Sequence, residues 1–180
     1  MALGADQLLL QGGLHPRLSI EFYERLFSQL KKEYPTIRLN ALGAPEVAHI
    51  AAISGITTRE ALIRLRDAGL DTLPGAGAEI LSERVRKIIS PAKPSVRDWI
   101  VVMHEAHQLD IPTTATMMYG HIETPHERIE HLIRIRDLQA AVPDGNYGFI
   151  AFIPWIFCST WRKTASAGCI TGQATEILST

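Results

Sequence analysis

The sequence predicts an α/β fold built from repeated strand–helix units. Two observations carry that prediction. Short apolar runs bounded by turn residues fall at Gln7–Leu10, Ile37–Leu42, Asp71–Leu73, Thr113–Met117 and Phe149–Ile153, so strand starts recur every 30 to 42 residues. Helical periodicity fills the gaps between them. Alternation of this kind argues for parallel strands, which need long crossover connections. A complete eight-unit barrel takes about 250 residues. The five units visible in 180 residues therefore predict an incomplete (β/α) barrel of the TIM type. Five such strands fit an open doubly wound sheet equally well, and periodicity does not separate the two.

The elements follow in chain order. The first and last strands are almost wholly apolar, as strands covered on both faces tend to be. The first begins almost at once after Met1, so a barrel or sheet would start on a strand. Ile20, Tyr23, Phe27 and Leu30 recur at helical spacing and stop before Pro35. Pro45 and Glu46 make a good first helical turn after the second strand. Between Thr58 and Ala68, Leu62 and Leu65 face one way while Arg59, Glu60, Arg64 and Arg66 face largely another, and Gly69 closes that helix. Trp99, Val102, Met103, Ala106 and Leu109 form the next stripe, ending before Pro112. Ile129, Leu132, Ile133, Ile135 and Leu138 form another, after the start signal Thr124-Pro125. Beyond Phe157 the pattern stops, and only Ala174–Leu178 carries a weak helical signal. The chain thus divides into a partial barrel over 1–157 and a tail over 158–180, expected to be poorly ordered.

Composition excludes several classes. Hydrophobic residues make up 46% and charged residues 21%, which is globular composition and not disorder. A net charge of -1 gives no electrostatic case for binding nucleic acid or a membrane surface. The longest apolar stretch, Gly148–Phe157, is too short to cross a bilayer, and the N-terminus does not read as a signal peptide. Two cysteines, Cys158 and Cys169, imply no disulfide framework, and the expectation is a reduced, cytoplasmic protein.

In parallel α/β structures function sits at the C-terminal ends of the strands. The first strand ends in Gln11-Gly12-Gly13-Leu14-His15-Pro16. Two glycines allow close backbone approach to a ligand, although a tight turn before a helix needs them as well. After the second strand, Glu46 reads first as a helix cap. The third ends in Pro74-Gly75-Ala76-Gly77-Ala78-Glu79, where Glu79 is either a ribose-binding carboxylate or a surface residue on a flexible loop. It is not the dinucleotide fingerprint, because a third glycine is missing. After the fourth, His121 and Glu123 are candidates for proton transfer, and Thr124 is an N-cap. Met117 and Met118 read as core. The fifth gives Ile153-Pro154-Trp155, an aromatic that either stacks on a purine or caps the core. His104 and His107 share a helix face without a third ligand and read as a packed or solvated pair. His121, His126 and His131 are spread around a helix, and Cys158 and Cys169 have no partners to complete a cluster. No metal site is expected from these residues.

Taken in order, five runs resemble one family. They are Gln11–Pro16, Asp67–Asp71, Pro74–Leu81, Thr113–Thr124 and Ala151–Trp155, and together they look like cyclic dehypoxanthine futalosine synthase. That is a family of radical S-adenosylmethionine (SAM) enzymes of the futalosine route to menaquinone. Aminofutalosine synthase and the two halves of FO synthase share weaker versions of the runs. The resemblance covers about residues 4–157 and implies a βα barrel, with the strands here its second to sixth. It also implies roles for particular residues. Gly12 and Gly13 would bind the methionyl amino group of SAM, and Glu79 its ribose. Gly120, Glu123 and Ile153 would lie near the adenosine, while His15 and Trp155 would face a small nucleoside substrate. In such an enzyme a 4Fe-4S cluster cleaves SAM, and the resulting radical takes hydrogen from the substrate ribose before ring closure. The barrel walls shield that chemistry from water.

The departures bear on activity. The family holds its cluster with a Cys-x3-Cys-x2-Cys loop, and this sequence contains no such motif. The family pattern has His and Ser where Asn40 and Gly43 stand here. Residues 158–180 match none of the family's sequence. The expectation is a truncated or frame-shifted portion of such an enzyme, inactive alone, with an inactive remnant or a split-barrel half completed by another chain as one alternative. A sister radical SAM enzyme is a second. A cluster-free lyase or aldolase is a distant third, since none of Lys31, Lys32, Lys87, Lys93 and Lys163 reads as catalytic.

Overall fold

The strand–helix alternation is realised as a parallel row in chain order. The structure, a computed structural model, describes residues 4–157. The expected tail 158–180, with Cys158, Lys163 and Cys169, lies outside the described residues. Strand β1 (Gln7–Leu10) pairs in parallel with β2 (Arg38–Ala41), and β3 (Thr113–Tyr119) with β4 (Phe149–Ile156). The expected third strand, Asp71–Leu73, is reduced to two parallel bridges, Asn40 to Thr72 and Leu73 to Thr113. These bridges join the two pairs into one row. Pro74 follows directly, and with no N–H it cannot extend the ladder. Among the described residues β1 and β4 each pair on one side only, so the row does not close into a barrel.

Among the described residues six helices accompany the strands: α1 (Ile20–Glu33), α2 (Ala44–Ser54), α3 (Thr58–Asp67), α4 (Glu83–Ile89), α5 (Val96–Gln108) and α6 (Pro125–Ala140). Their starts follow from capping chemistry. The Thr57 side chain accepts from the Glu60 amide, Ser95 and Asp98 cap α5 reciprocally, and Thr124 and Glu127 do the same for α6 with Pro125 in its first turn. Helix α4 carries no signal in the sequence, because seven residues with only Val85 and Arg86 buried are too short to show a helical period.

The core lies between one face of the strand row and the helices. Leu39, Ala41, Leu73 and Ala115 point into it and pack with Phe27, Val47, Leu62, Leu65, Trp99 and Met103. Since side chains alternate along a strand, the residues between them face the other way. This opposite face corrects the expectation that β1 and β4 are covered on both sides. Leu8 and Leu10 pack against the core, whereas Leu9 is 58% exposed. In β4, Phe149 stacks on Trp99 at 6.3 Å, but every residue from Ile150 to Ile156 stands exposed, including Phe152, whose ring lies 6.3 Å from that of His131. The composition of an apolar run does not reveal how many faces are covered. Here the uncovered face forgoes about 1.5–3 kcal/mol for each large side chain that would otherwise be buried.

The histidines separate by burial. His107 is buried, its ring edge-to-face with that of Phe149 at 4.7 Å between centroids, while His104 on the same helix is exposed. His121 lies before α6 and not on it, and His131 is fully buried with its Nδ1 accepting from the Leu81 amide at 3.0 Å.

Candidate active site

The C-terminal strand ends gather the candidate residues along one edge, each on a loop held by a different device. The turn after β1 is held from behind by Glu46. One carboxylate oxygen accepts the amides of Gly12 at 2.8 Å and Gly13 at 3.1 Å, and the other accepts the Gly43 amide at 2.7 Å. Glu46 is 8% exposed. The capping expected of it is present, and the contact with the first turn comes in addition. Gly13 has φ +74°, a left-handed conformation that suits glycine. His15 is exposed, its Nδ1 accepting from the Arg17 amide, and its carbonyl lies 3.0 Å from His49 Nε2. It shares a largely apolar recess of about 240 Å³ with Gly12, Phe22 and Tyr23.

The loop Pro74–Glu79 is held on both sides. The Gly75 amide donates to Thr114 Oγ1 and its carbonyl accepts from Thr116 Oγ1, both at 2.8 Å. Arg86, buried between the loop and the next connection, donates to the carbonyls of Gly77 and Ala78 at 2.8 Å and to that of Pro94. Burial lowers the Arg86 pKa, opposed by the charges of Glu79, Glu83 and Asp98, and the guanidinium remains charged.

Glu79 is 9% exposed, which rules out a surface residue on a flexible loop. Its φ of +48° is a conformation costing roughly 1–2 kcal/mol for a residue with a side chain. Its carbonyl accepts the Met118 amide at 2.6 Å, and one carboxylate oxygen pairs with Lys93 Nζ. Glu79, Lys93 and Met118 line a recess of about 310 Å³, so Met118 contributes to a cavity and not to the core. Met117, by contrast, is buried as expected.

At the fourth strand end, Gly120 has φ +90° and Glu123 folds back beneath it. The Glu123 carboxylate is fully buried, accepting the amides of Gly120 at 2.6 Å and His121 at 2.9 Å and the guanidinium of Arg128. Burial raises its pKa, but those donors outweigh it and bring the group down to about 2. His121 bonds the Met118 carbonyl through Nε2 and the Ile122 amide through Nδ1. Both side chains are therefore engaged within the loop. What the loop offers outward is the main chain of Gly120–Ile122. Ile153 and Trp155 lie on the uncovered face of β4. The structure thus places Gly12 with His15 in one recess and Glu79 with Met118 in another, and it joins neither recess to Trp155.

Three partners were not legible in the sequence: the reach of Glu46 to Gly12 and Gly13, the Arg86 brace and the Lys93–Glu79 pair. The Pro-Glu start of α2 signals the cap. The three partnerships join residues 8 to 34 apart, and no local pattern encodes them.

Comparison with known proteins decides the family. The radical SAM superfamily profile matches residues 2–135. The chain belongs to the radical SAM superfamily. Among its relatives are 5-amino-6-(D-ribitylamino)uracil--L-tyrosine 4-hydroxyphenyl transferase 1 of Methanosarcina barkeri, 48% identical over 85% of this chain and 40% of that protein. Cyclic dehypoxanthine futalosine synthase of Streptomyces coelicolor is 48% identical over 86% of the chain and 38% of that protein. Aminodeoxyfutalosine synthase of Thermus thermophilus is 44% identical over 86% and 39%. The chain spans about two-fifths of the length of these relatives. Identity alone does not separate the three activities.

Radical SAM enzymes have a TIM-type barrel and use SAM with a 4Fe-4S cluster. The residues present do not fit the cluster. The described residues contain no cysteine, and the sequence holds only Cys158 and Cys169 with ten residues between them. At Gly43, where the departure was expected, an added Cβ would lie 3.0 Å from that of Ala76. Asn40 Oδ1 is buried and accepts no hydrogen bond among the described residues.

Proposed function

We propose that this chain supplies the SAM-binding edge of a radical SAM enzyme that cyclises dehypoxanthine futalosine in menaquinone biosynthesis. One observation carries the SAM assignment: the Gly12–Gly13 turn, the braced Glu79 loop and the Gly120–Glu123 loop all sit at the C-terminal ends of members of one parallel row. In this assignment Gly12 and Gly13 meet the methionyl amino group. Glu79 meets the ribose, with one oxygen held by Lys93 and the other turned to the two hydroxyls. The Gly120–Ile122 main chain and Ile153 flank the adenine, and His15 and Trp155 stand toward the substrate. Glu123 acts by shaping its loop. No catalytic step is assigned to the cluster on this chain's residues. The chain alone is inactive, and catalysis requires cysteine ligands from further sequence, in the same polypeptide or in a complementing one. The futalosine assignment rests on the five sequence runs and on the Streptomyces relative. The Methanosarcina relative, at the same identity, supports a tyrosine transferase instead.

Titration separates the two substrates. With SAM present, dehypoxanthine futalosine and 5-amino-6-(D-ribitylamino)uracil are added in turn while the indole resonance of Trp155 is followed. The futalosine compound is expected to shift it at the lowest concentration. Tighter binding of the uracil would move the chain to the transferase activity.

A further inference from the structure

A helix cap needs only one of the three bonds that Glu46 makes. The Gly43 amide satisfies the capping role, yet the other carboxylate oxygen reaches across 33 and 34 residues to the amides of Gly13 and Gly12. Two successive amides converging on one point form a small nest suited to an anion. Here the protein fills that nest with its own carboxylate. The turn is therefore closed to a ligand carboxylate or phosphate. Its carbonyls, of Gln11, Gly12 and Gly13, accept no hydrogen bond among the described residues, and all three residues are exposed. Carbonyl oxygens backed by a buried carboxylate favour a cationic donor, since both the dipoles and the charge carry the same sign.

We infer that Glu46 is a positioning residue for the amino group of SAM. By occupying the Gly12 and Gly13 amides it turns the glycine loop from an anion site into an ammonium site, and it fixes that loop to the start of α2. The inference rests on the proposed SAM assignment and adds to it the group that sets the loop's selectivity.

Selectivity for the amine provides the test. The full 180-residue chain, labelled with ¹³C and ¹⁵N in glycine, is titrated with SAM and with 5′-methylthioadenosine, which has the nucleoside but no amino acid. The parent is expected to prefer SAM at least tenfold. In Glu46→Gln the side chain offers an N–H to one of the two loops, and a donor facing a donor releases that loop. The preference for SAM is then expected to fall to within twofold of unity, with methylthioadenosine affinity unchanged within twofold. Equal weakening of both ligands would mark a merely structural role and overturn the inference, as would an unchanged preference. Parent chain that binds neither ligand would overturn the SAM assignment and the inference with it.

A second measurement needs no variant. SAM is expected to shift the carbonyl resonances of Gly12 and Gly13 while their amide protons stay protected from exchange. Loss of that protection on binding would show the amides turning to the ligand and would overturn the inference.

Discussion

Gly75 gives the sharpest prediction about stability. A Cβ built at Gly75 would lie 2.1 Å from the Thr114 carbonyl oxygen, 2.6 Å from its carbon and 2.8 Å from Ala115 Cα. All three are backbone atoms of β3, so no side-chain rotation relieves the clash. In Gly75→Ala the Pro74–Glu79 loop must move off the strand by about an ångström, a distance at which both of its bonds to Thr114 and Thr116 are lost. Over-packing costs about 1–3 kcal/mol, and the two hydrogen bonds contribute about 0.5–1.5 kcal/mol each. The expected loss is therefore about 3–4 kcal/mol. With a urea slope of about 2 kcal/mol per molar, the unfolding midpoint falls by about 1.5–2 M. The assay is urea unfolding of dilute chain followed by fluorescence, with fully buried Trp99 as the responsive indole. Gly12→Ala is the control: nothing lies within 4 Å of its added Cβ and its φ is not left-handed, so its midpoint stays within about 0.3 M of the parent. A Gly75→Ala midpoint equally close to the parent would refute the packing of this loop on β3.

Other outcomes follow from the same geometry. Arg86→Met keeps the side-chain volume but leaves the carbonyls of Gly77, Ala78 and Pro94 without their donor, and it is expected to destabilise by about 3 kcal/mol in the same unfolding assay. His107 and His131 are both held down to about 4 by burial, His107 with a smaller contribution from His104, against an ordinary value of 6.5. Their folded values lie below the unfolded ones, so their contribution is complete above pH 6.5 and is lost as pH falls toward 4, which urea midpoints across that range will read. Glu123, held down to about 2, adds a further loss between pH 4.5 and 2 by the same sign. The exposed face of β4 (Ile153 and Trp155) and the exposed α6 residues Ile129, Leu132 and Ile133 predict concentration-dependent self-association, read by sedimentation. A monomer at high concentration with a cooperative thermal transition would contradict that expectation.

The sequence announced most of the fold through local rules. Pro45-Glu46 and Thr124-Pro125 marked the starts of α2 and α6, apolar stripes marked α1, α3 and α5, and apolar runs located the four strands of the described residues. Two shortfalls have physical causes. Asp71–Leu73 carries strand residues, but Pro74 cuts its pairing to two bridges. Helix α4 is too short for a period to register. The strand ends marked the loops of the candidate site because parallel α/β topology places them on one edge. How each loop is held was invisible. Glu46, Arg86 and Lys93 act across the tertiary structure, and each reads locally as a cap or a solvated charge.

Binding of SAM to the chain tests the central claim most directly. Equilibrium dialysis with radiolabelled SAM compares the parent with Glu79→Gln, which removes the charge from the oxygen assigned to the ribose hydroxyls. Hydrogen bonds to a charged group contribute about 1.5–3 kcal/mol, so the affinity is expected to fall tenfold or more from a parent that binds one equivalent. Equal binding by the two chains, or none by the parent, would contradict the assignment of this edge to SAM.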